Sequence, residues 1–413
     1  MKKIFKKISH WLRRRIAKVW LFLNPQLTII GITGSYGKTI TSVVINKVLS
    51  KKYKTLQTDL NLDTIYNLPI TILKARKKHQ KIILEYGVDH KGEMDFHLSL
   101  VKPDLAVMTG INPTHSDANL LGSVQNIIRE KQKMLSSLSE NKTAFLNYND
   151  LQVRQMAANT KAKIVYYGFD KNNCDYWAYD VKVGFNGTSF KLGMKSDDDK
   201  KIIEIKTGLI GEHTVEPCLA AIAIGLNQGV PLDDIQQALK DLKPLPGRLS
   251  IEDGPLKSIL LNDSLRANPA SAKAGLQTLV DLGCLGKKVA VLGEMGELGV
   301  SAEEEHQSLG SFIASLKIDY FIGIGPLQKL ATSQAVKSGM NKDKVFWAKD
   351  VFEAAEIIKK VLGKNDLFYL KGSRLRHMER ILMVLEGKKV GCSVNSCHFY
   401  NECGSCSYLE TGL

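Results

Sequence analysis

The sequence predicts an α/β protein with two successive, mainly parallel sheets covered by helices, and a small antiparallel addition between them. Short apolar segments alternate with stretches of helical spacing in both halves of the chain, which is typical of strand–helix–strand units. In the first half the apolar segments are residues 27–34, 81–87, 104–111, 143–149 and 163–169. In the second half they are residues 258–264, 288–293, 318–325, 344–348 and 366–371.

The region between the two series has a different pattern. Residues 176–207 alternate polar and apolar side chains, with Asn186-Gly187 and the charged run 197–200 as turns, which predicts antiparallel strands. Pro244-Leu245-Pro246-Gly247 then predicts a hinge.

The chain has 413 residues, of which 44% are hydrophobic and 24% charged, so it is long enough for two to three soluble domains. We divide it into a basic helix (1–25), a first α/β domain (26–246), a second α/β domain (247–390) and a cysteine-rich tail (391–413).

Residues 1–25 are predicted to form a basic amphipathic helix. The net charge of the chain is +15, and residues 1–20 hold eight lysines and arginines and no acidic residue. Apolar residues recur at helical spacing at Ile4, Ile8, Leu12, Ile16, Val19 and Leu23. Such a helix either lies on an anionic membrane surface or packs on the protein itself with its lysines in water. Because the charge is concentrated in one terminal helix, the sequence argues against nucleic-acid binding.

No apolar run reaches the ~18 residues that a membrane span needs, and the run at residues 19–23 is too short for a signal peptide. Cys174, Cys218 and Cys284 lie among apolar neighbours, as small buried residues of a reducing compartment do. The sequence therefore predicts a cytoplasmic protein, attached to the inner membrane face through residues 1–23 if the helix binds lipid.

The segment from Thr33 to Thr39, Thr-Gly-Ser-Tyr-Gly-Lys-Thr, predicts a nucleotide phosphate site in a P-loop ATPase-like domain. It lies between a strand-like apolar run and a stretch of helical spacing. Its glycines let successive backbone N–H groups face an anion, while the lysine supplies a charge and the last threonine a hydroxyl for magnesium. The predicted nucleotide-binding residues here are Gly34, Ser35, Gly37, Lys38 and Thr39. The alternative is a helix start without a ligand, since Ile32 replaces the first glycine of the full motif.

Two side chains at predicted strand ends favour magnesium chemistry at the same edge of the sheet. Glu85 ends the segment 81–87, and His115 follows the segment 104–111. In an open parallel sheet, ligands bind beyond the carboxyl ends of the strands. A carboxylate and an imidazole there suit metal ions that bridge ATP phosphates to a substrate.

The last 22 residues contain four cysteines, Cys392, Cys397, Cys403 and Cys406, with His398 among them. Four neighbouring thiols can hold zinc, and the spacing from 403 to 406 is that of a zinc knuckle. An iron–sulfur cluster and a disordered or disulfide-prone tail are the alternatives.

Taken together, these motifs resemble the Mur ligase family, the ATP-dependent amide ligases of peptidoglycan precursor assembly, over residues 27–388. The resemblance is strongest to the branch that adds D-alanyl-D-alanine to the UDP-muramoyl tripeptide. The matching segments are 33–39, 61–69, 85–87, 92–94, His115, 122–123, Lys131, 211–213, 246–248, 262–269, 292–299 with His306, and 371–374.

The resemblance implies that ATP phosphorylates a substrate carboxylate and that an amine then displaces the phosphate. It implies Lys38 on the β- and γ-phosphates, one magnesium ion at Thr39 and Glu85, and a second at His115 and a carbamylated Lys131. It also implies a Rossmann-like second domain and further ligand contacts: Arg248 and Asp263 with ATP, Asn61 in a substrate loop, and Lys371, Ser373 and Arg374 on the amine-substrate side. Without the resemblance, Lys131 would be interpreted as an exposed helix lysine.

Three departures from the family pattern stand out. Leu265-Arg266 replaces Tyr-Asn in the segment 262–269, and His213 is followed by Thr214-Val215-Glu216-Pro217 in place of Asn-x-x-Asn. Both changes fall where the family holds the nucleotide base, so we expect adenine to be held differently. In addition, the phosphate loop begins at residue 33, so we expect the family's N-terminal UDP-sugar domain to be missing. We expect that the core recognises the peptide alone, that another protein supplies the missing domain, or that the acceptor is linked to lipid.

The sequence thus predicts an ATP- and magnesium-dependent ligase that joins a wall-precursor peptide to D-alanyl-D-alanine or a similar amine. One alternative is a ligase for a different wall polymer, such as pseudomurein peptide. The other is a non-catalytic nucleotide-binding scaffold at the membrane.

Overall fold

A computed structural model describes residues 2–59, 64–113, 115–195, 202–397, 399 and 402–412, with side chains from residue 8 onward. Asn61 and the predicted turn at 197–200 lie outside these residues. The chain forms two compact units. Unit 1 comprises Met1–Lys182, Thr188–Gly208 and His213–Leu242, and unit 2 comprises Val183–Gly187, Leu209–Glu212 and Lys243–Leu413.

Unit 1 is built on a nine-stranded sheet. Its strands are β1 (Thr28–Thr33), β2 (Thr55–Gln57), β3 (Lys81–Glu85), β4 (Leu105–Met108), β5 (Thr143–Asn147), β6 (Lys163–Gly168), β7 (Tyr176–Gly184), β8 (Gly187–Met194) and β9 (Ile203–Thr207). They follow the order β2-β3-β1-β4-β5-β6-β7-β8-β9. The pairs from β2 to β7 are parallel, whereas β8 and β9 are antiparallel. The sheet therefore places the carboxyl ends of β3, β1 and β4 side by side.

The burial of the strands explains this topology. Every residue of β3, β4 and β5 is buried, which is typical of parallel strands with helices on both faces. Residues of β9 alternate between buried and exposed, as in an antiparallel strand with one wet face. The helices are α1 (Lys2–Phe22), α2 (Lys38–Leu49), α3 (Thr64–Lys74), α4 (Glu93–Leu100), α5 (Val124–Ser136), α6 (Leu151–Met156), α7 (Val215–Asn227) and α8 (Leu232–Lys240).

Helix α1 packs on unit 1 through the face opposite to its apolar stripe. Ala17 is fully buried in the core, and Trp20 packs beside it. The Arg14 guanidinium lies 3.6 Å from the centre of the Phe96 ring and donates a 2.6 Å hydrogen bond to the Phe96 carbonyl. The described residues of the predicted stripe, from Ile8 to Leu23, are exposed. Of the helices that the structure describes, none combines the length and apolar character needed to cross a bilayer.

Unit 2 contains a six-stranded sheet with the order β10-β11-β15-β12-β13-β14. Its strands are β10 (Ser250–Asp253), β11 (Ile259–Asp263), β12 (Lys288–Leu292), β13 (Tyr320–Ile324), β14 (Val345–Ala348) and β15 (Leu367–Lys371). All pairs are parallel except β10 with β11. The helices are α9 (Pro269–Asp281), α10 (Ala302–Ser315), α11 (Pro326–Lys337), α12 (Val351–Val361) and α13 (Glu379–Leu385).

Both faces of this second sheet are buried, and each has its own core. Ala290 and Leu292 of β12 belong to one hydrophobic cluster, whereas Val289 and Val291 belong to the other. This confirms the predicted α/β class. Strands β2 and β10 were not predicted, because both are short and polar enough to resemble loops.

Candidate active site

The phosphate loop connects β1 to α2 as predicted. Gly34 and Gly37 have φ angles of 150° and 75°, in the region that favours glycine. A Cβ at Gly34 would lie 2.0 Å from the Thr109 hydroxyl oxygen, so only glycine fits. The loop is held against the end of β4, since the Ser35 N–H donates a 2.7 Å hydrogen bond to the Gly110 carbonyl. Lys38 donates a 2.7 Å hydrogen bond to the Gly34 carbonyl.

The first predicted magnesium ligands are in contact with each other. The Thr39 hydroxyl, in the first turn of α2, donates a 3.2 Å hydrogen bond to the Glu85 carboxylate at the end of β3. Glu85 is buried. A hydroxyl and a carboxylate are hard oxygen donors of the kind that magnesium prefers. They lie together because β1 and β3 are neighbours with Ile32 opposite Glu85.

His115 lies in the loop after β4, with a φ of 72°. Its Nδ1 atom is 3.1 Å from the Asp89 carboxylate and 3.3 Å from the Val88 carbonyl. We did not predict Asp89 from the sequence. It follows β3 by four residues, so the rule that ligands lie beyond strand ends could have found it.

Lys131 is the least expected member of this site, because it is a fully buried lysine. It lies on the inward stripe of α5 with Ile127 and Met134. Its Nζ atom has no hydrogen-bond partner within the described part of the chain. Burial, with the nearby Lys38 ammonium, holds the pKa of the Lys131 amine well below its usual value, although Asp89 and other carboxylates oppose this.

A lowered pKa increases the neutral fraction of a buried amine, and the neutral amine is the form that can attack CO₂. The carbamate so formed carries two oxygens in place of a cation, and would satisfy the unpaired position. The residues of unit 1 thus fit a two-magnesium site. Thr39 and Glu85 would hold one ion, and His115 and a carbamylated Lys131 the other.

In unit 2 the structure pairs Asp263 and Lys371, for which the resemblance implied different ligands. They end the neighbouring strands β11 and β15 and lie opposite each other in the register. The Lys371 ammonium donates to the Asp263 carboxylate over 2.5 Å and to the Arg266 carbonyl over 2.9 Å. Burial raises the pKa of Asp263 and lowers that of Lys371, since desolvation outweighs their attraction. The Tyr369 hydroxyl also donates to Asp263, over 3.1 Å.

The other predicted residues of unit 2 lie in the segments next to these strands. Arg248 follows Gly247, and its charge acts on both Asp263 and Lys371. Ser373 and Arg374 follow β15 after Gly372, and Ser373 immediately precedes a short 3₁₀ helix, Arg374–Arg376. Sequence reasoning missed the ion pair in which Arg376 contacts Glu294, over 2.8 Å.

Two of the residues that depart from the family pattern, Leu265 and Glu216, make specific contacts. Leu265 packs on the hinge glycine, so that a Cβ at Gly247 would lie 2.8 Å from its side chain. Glu216 accepts a 2.6 Å hydrogen bond from the Asn149 side chain. The four tail cysteines are unpaired thiols that line one cavity in unit 2.

Comparison with known proteins gives a consistent result. Residues 32–225 match the model of the Mur ligase middle domain, and residues 247–374 match that of the Mur ligase glutamate ligase domain. The chain is 32% identical to the UDP-N-acetylmuramoyl-tripeptide--D-alanyl-D-alanine ligase of Bacillus subtilis over 354 residues, which are 86% of this chain and 75% of that protein.

Solved structures with the same fold include MurF from Acinetobacter baumannii, with a TM-score of 0.82 at 27% identity, covering 92% of this chain and 81% of that one. They also include MurF ligase from Thermotoga maritima in complex with ADP. Its TM-score is 0.77 at 23% identity, covering 92% of this chain and 84% of that one.

Proposed function

Since the chain belongs to the Mur ligase family and is a MurF-like, ATP-dependent ligase of peptidoglycan precursor synthesis, we propose that it joins a wall-precursor peptide to a dipeptide through an acyl phosphate. The peptide contributes a carboxylate, and a dipeptide such as D-alanyl-D-alanine contributes an amine. The buried, unpaired Lys131 amine near the phosphate loop carries the proposal. Burying an amine without a hydrogen-bond partner is costly, whereas a carbamate formed on Lys131 would supply oxygen ligands for magnesium.

The reaction has two steps. A carboxylate oxygen of the peptide attacks the γ-phosphorus of ATP, ADP leaves, and an acyl phosphate forms. The amine then attacks the acyl carbon, the C–O bond to phosphate breaks, and the amine loses a proton. The products are the amide, ADP and inorganic phosphate.

In the first step the phosphate loop binds and orients ATP. We assign N–H groups of this loop, other than the Ser35 N–H that donates to Gly110, to the phosphate oxygens. We assign Lys38 to the β- and γ-phosphates. Lys38, which donates to Gly34 in this structure, would exchange that carbonyl for a phosphate oxygen. Magnesium, when bound, neutralises charge on the phosphates and the attacking carboxylate. Glu85, His115 and Lys131 are its proposed anchors, and Asp89 is the proposed orienting partner of His115.

We assign Arg248 and Asp263 to ATP, and Lys371, Ser373 and Arg374 to the amine substrate. The Asp263–Lys371 pair supports a shared role, since moving either group would break this buried ion pair. Asn61 stays a proposed substrate contact.

The test is to incubate the full chain with ATP, magnesium, bicarbonate and candidate wall peptides, with and without D-alanyl-D-alanine. We expect phosphate release only when both substrates are present, and a product whose mass equals their sum minus water. Tight ATP binding without release in any combination would instead support the non-catalytic scaffold.

A further inference from the structure

The tail after α13 folds around a cavity in unit 2. The cavity has a volume of about 150 Å³, and all four tail cysteines line it together with His377 and Arg380. The tail is tied to the segment after β15, because the Cys397 N–H donates a 2.8 Å hydrogen bond to the Leu375 carbonyl. The cavity therefore lies beside the segment that carries Ser373 and Arg374.

The size of the cavity is informative. A cavity of about this volume can accommodate a molecule as large as benzene, so it is much larger than one ion. A single zinc ion with Zn–S bonds of about 2.3 Å would draw four sulfurs to within about 4 Å of one another. The four cysteine sulfurs are not all within 4.8 Å of one another, and the group that is this compact among the described residues is His377, Glu379 and Cys403.

That compact group is not a free set of metal ligands. His377 Nδ1 lies 3.0 Å from the Glu379 carboxylate and Nε2 lies 2.8 Å from the Phe399 carbonyl, so both ring nitrogens have partners. Glu379 also accepts a 3.3 Å hydrogen bond from the Cys403 N–H. These contacts hold the tail in place, and all four cysteines line the cavity.

A buried cation also faces the cavity. Arg380 is only 1% exposed, and the acceptors it contacts are backbone carbonyls and the Cys392 sulfur, at 3.4 Å. A buried guanidinium is costly without a counter-charge. Thiolates that bind a metal centre would supply that negative charge.

We propose that Cys392, Cys397, Cys403 and Cys406 bind a [4Fe–4S] cluster in this cavity. A cubane cluster takes one thiolate per iron and spreads the four sulfurs farther apart than a single ion does. On transfer of the cluster from a thiolate donor, four Fe–S bonds to the donor break and four Fe–S bonds to this chain form. The protons of the chain's four thiols pass to the released donor thiolates. With a cluster core of charge +2, the site carries −2, which Arg380 partly offsets. No oxidation state changes in this step.

The test is to purify the full chain without oxygen and to measure iron, acid-labile sulfide and zinc. We expect four irons and four sulfides per chain, and an electron paramagnetic resonance signal after reduction with dithionite. Stoichiometric zinc without iron, or no metal at all, would overturn the proposal. The readout is metal content, so it is independent of whether the ligase assay succeeds.

The matched variants are Cys397→Ser and Cys284→Ser. Cys284 is also a free cysteine of unit 2 but does not line the cavity. We expect Cys397→Ser to lower the iron content by more than half and Cys284→Ser to leave it unchanged. Equal iron content in both variants would exclude Cys397 as a ligand.

A different observation carries a second proposal. The exposed stripe of α1 consists of Ile8, Trp11, Leu12, Ile16, Val19, Phe22 and Leu23. Trp11 is 55% exposed and Phe22 is 84% exposed. These residues are spaced three and four apart, so they form one continuous apolar face, while Arg14 and Ala17 hold the opposite face on unit 1. An uncovered face of this size marks an interaction surface.

We propose that this stripe lies in the interface of an anionic bilayer. Arg13, Arg15 and Lys18 are exposed beside it, four more lysines precede it, and the first acidic residue of the chain is Asp59. The combination of apolar side chains, tryptophan and cations is that of an interfacial helix held by burial and by charge. A protein partner would have to tolerate a purely cationic rim, which lipid phosphates neutralise.

The test is cosedimentation of the full chain with vesicles of phosphatidylglycerol and phosphatidylcholine, or of phosphatidylcholine alone. We expect binding to the anionic vesicles that falls at least tenfold in 0.5 M salt and in the double variant Leu12→Ser, Val19→Ser. The control is Leu285→Ser, which alters a residue that is 96% exposed outside α1. Unchanged vesicle binding in the double variant would refute the proposal. So would a dimer in solution that the double variant dissociates, since a second copy would then cover the stripe.

Discussion

Lys131 shows how burial controls the chemistry of one side chain. Burial of its amine, together with the nearby Lys38 ammonium, disfavours the charged form and lowers the pKa of Lys131 well below its usual value. The same residue on the outer face of α5 would be an ordinary cation. Lys131 is buried because it lies on the same face of α5 as Ile127 and Met134. Its position on the helix therefore controls the protonation of its amine.

We expect Lys131→Ala to reduce ligase activity at least a hundredfold, because it would remove the proposed carbamate ligand of the second magnesium. A short carboxylate such as acetate should restore part of the activity, since it can occupy the place of the carbamate oxygens. The measurement is phosphate release across an acetate titration. Arg129→Ala, on the exposed face of the same helix, should behave like the native protein. If Lys131→Ala loses activity and acetate restores none of it, the carbamate proposal is contradicted.

Gly34 sets a backbone limit on the phosphate loop. We expect Gly34→Ala to abolish ATP binding and to lower the free energy of unfolding by about 1–3 kcal/mol, because its Cβ would collide with Thr109. Isothermal titration with ATP and urea unfolding measure the two effects. Gly283→Ala is the control, since no atom lies within 4 Å of its Cβ position. If Gly34→Ala binds ATP with the affinity of the native protein, the loop can shift to accommodate the added Cβ.

At the scale of elements, side chains from one segment often fix the end of another. The His306 ring in α10 donates from Nδ1 to the Ala302 carbonyl over 2.6 Å and accepts at Nε2 from the Met295 N–H over 3.1 Å. With these two hydrogen bonds, the neutral His306 ring holds the loop after β12 in place. Its pKa is lowered, chiefly by burial.

This predicts a pH dependence of stability. Below the unfolded pKa of about 6.5, the unfolded chain binds a proton at His306 that the folded chain resists, so stability falls as the pH falls from that value towards the lowered folded pKa. We expect urea midpoints to decrease from pH 7 to pH 5.5 and the slope to be smaller in His306→Gln, whose amide cannot titrate. If the urea midpoint changes with pH equally in the native protein and in His306→Gln, the pH dependence of stability arises from other titratable groups.

The sequence predicts most of the strands but not the two edge strands β2 and β10. Five apolar runs in each half correspond to strands, because a parallel strand buried on both faces needs apolar side chains at every position. Strand β2, with three half-buried residues, and strand β10, with Asp and Glu, lack that signal. An edge strand pairs with only one neighbouring strand, so its pattern of apolar residues is weaker.

At the scale of the whole molecule, the two units have separate cores. Leu84 belongs to the core of unit 1, and Leu370 to a core of unit 2. We expect Leu84→Ala and Leu370→Ala each to cost about 2–5 kcal/mol, and each to accelerate hydrogen exchange only in peptides of its own unit. Mass spectrometry of exchanged peptides measures this. Acceleration in both units by either variant would indicate a single cooperative core.

The sequence by itself determined the α/β class, the phosphate loop and the positions of Glu85 and His115, because these follow from local patterns and from the rule of strand ends. Tertiary structure decided three other points. It buried Lys131, and it turned the apolar stripe of α1 outward. It also joined Asp263 to Lys371, which are 108 positions apart in the chain but opposite each other in neighbouring strands. Each depends on what packs against a residue from a distant part of the chain, and that is information a linear pattern does not contain.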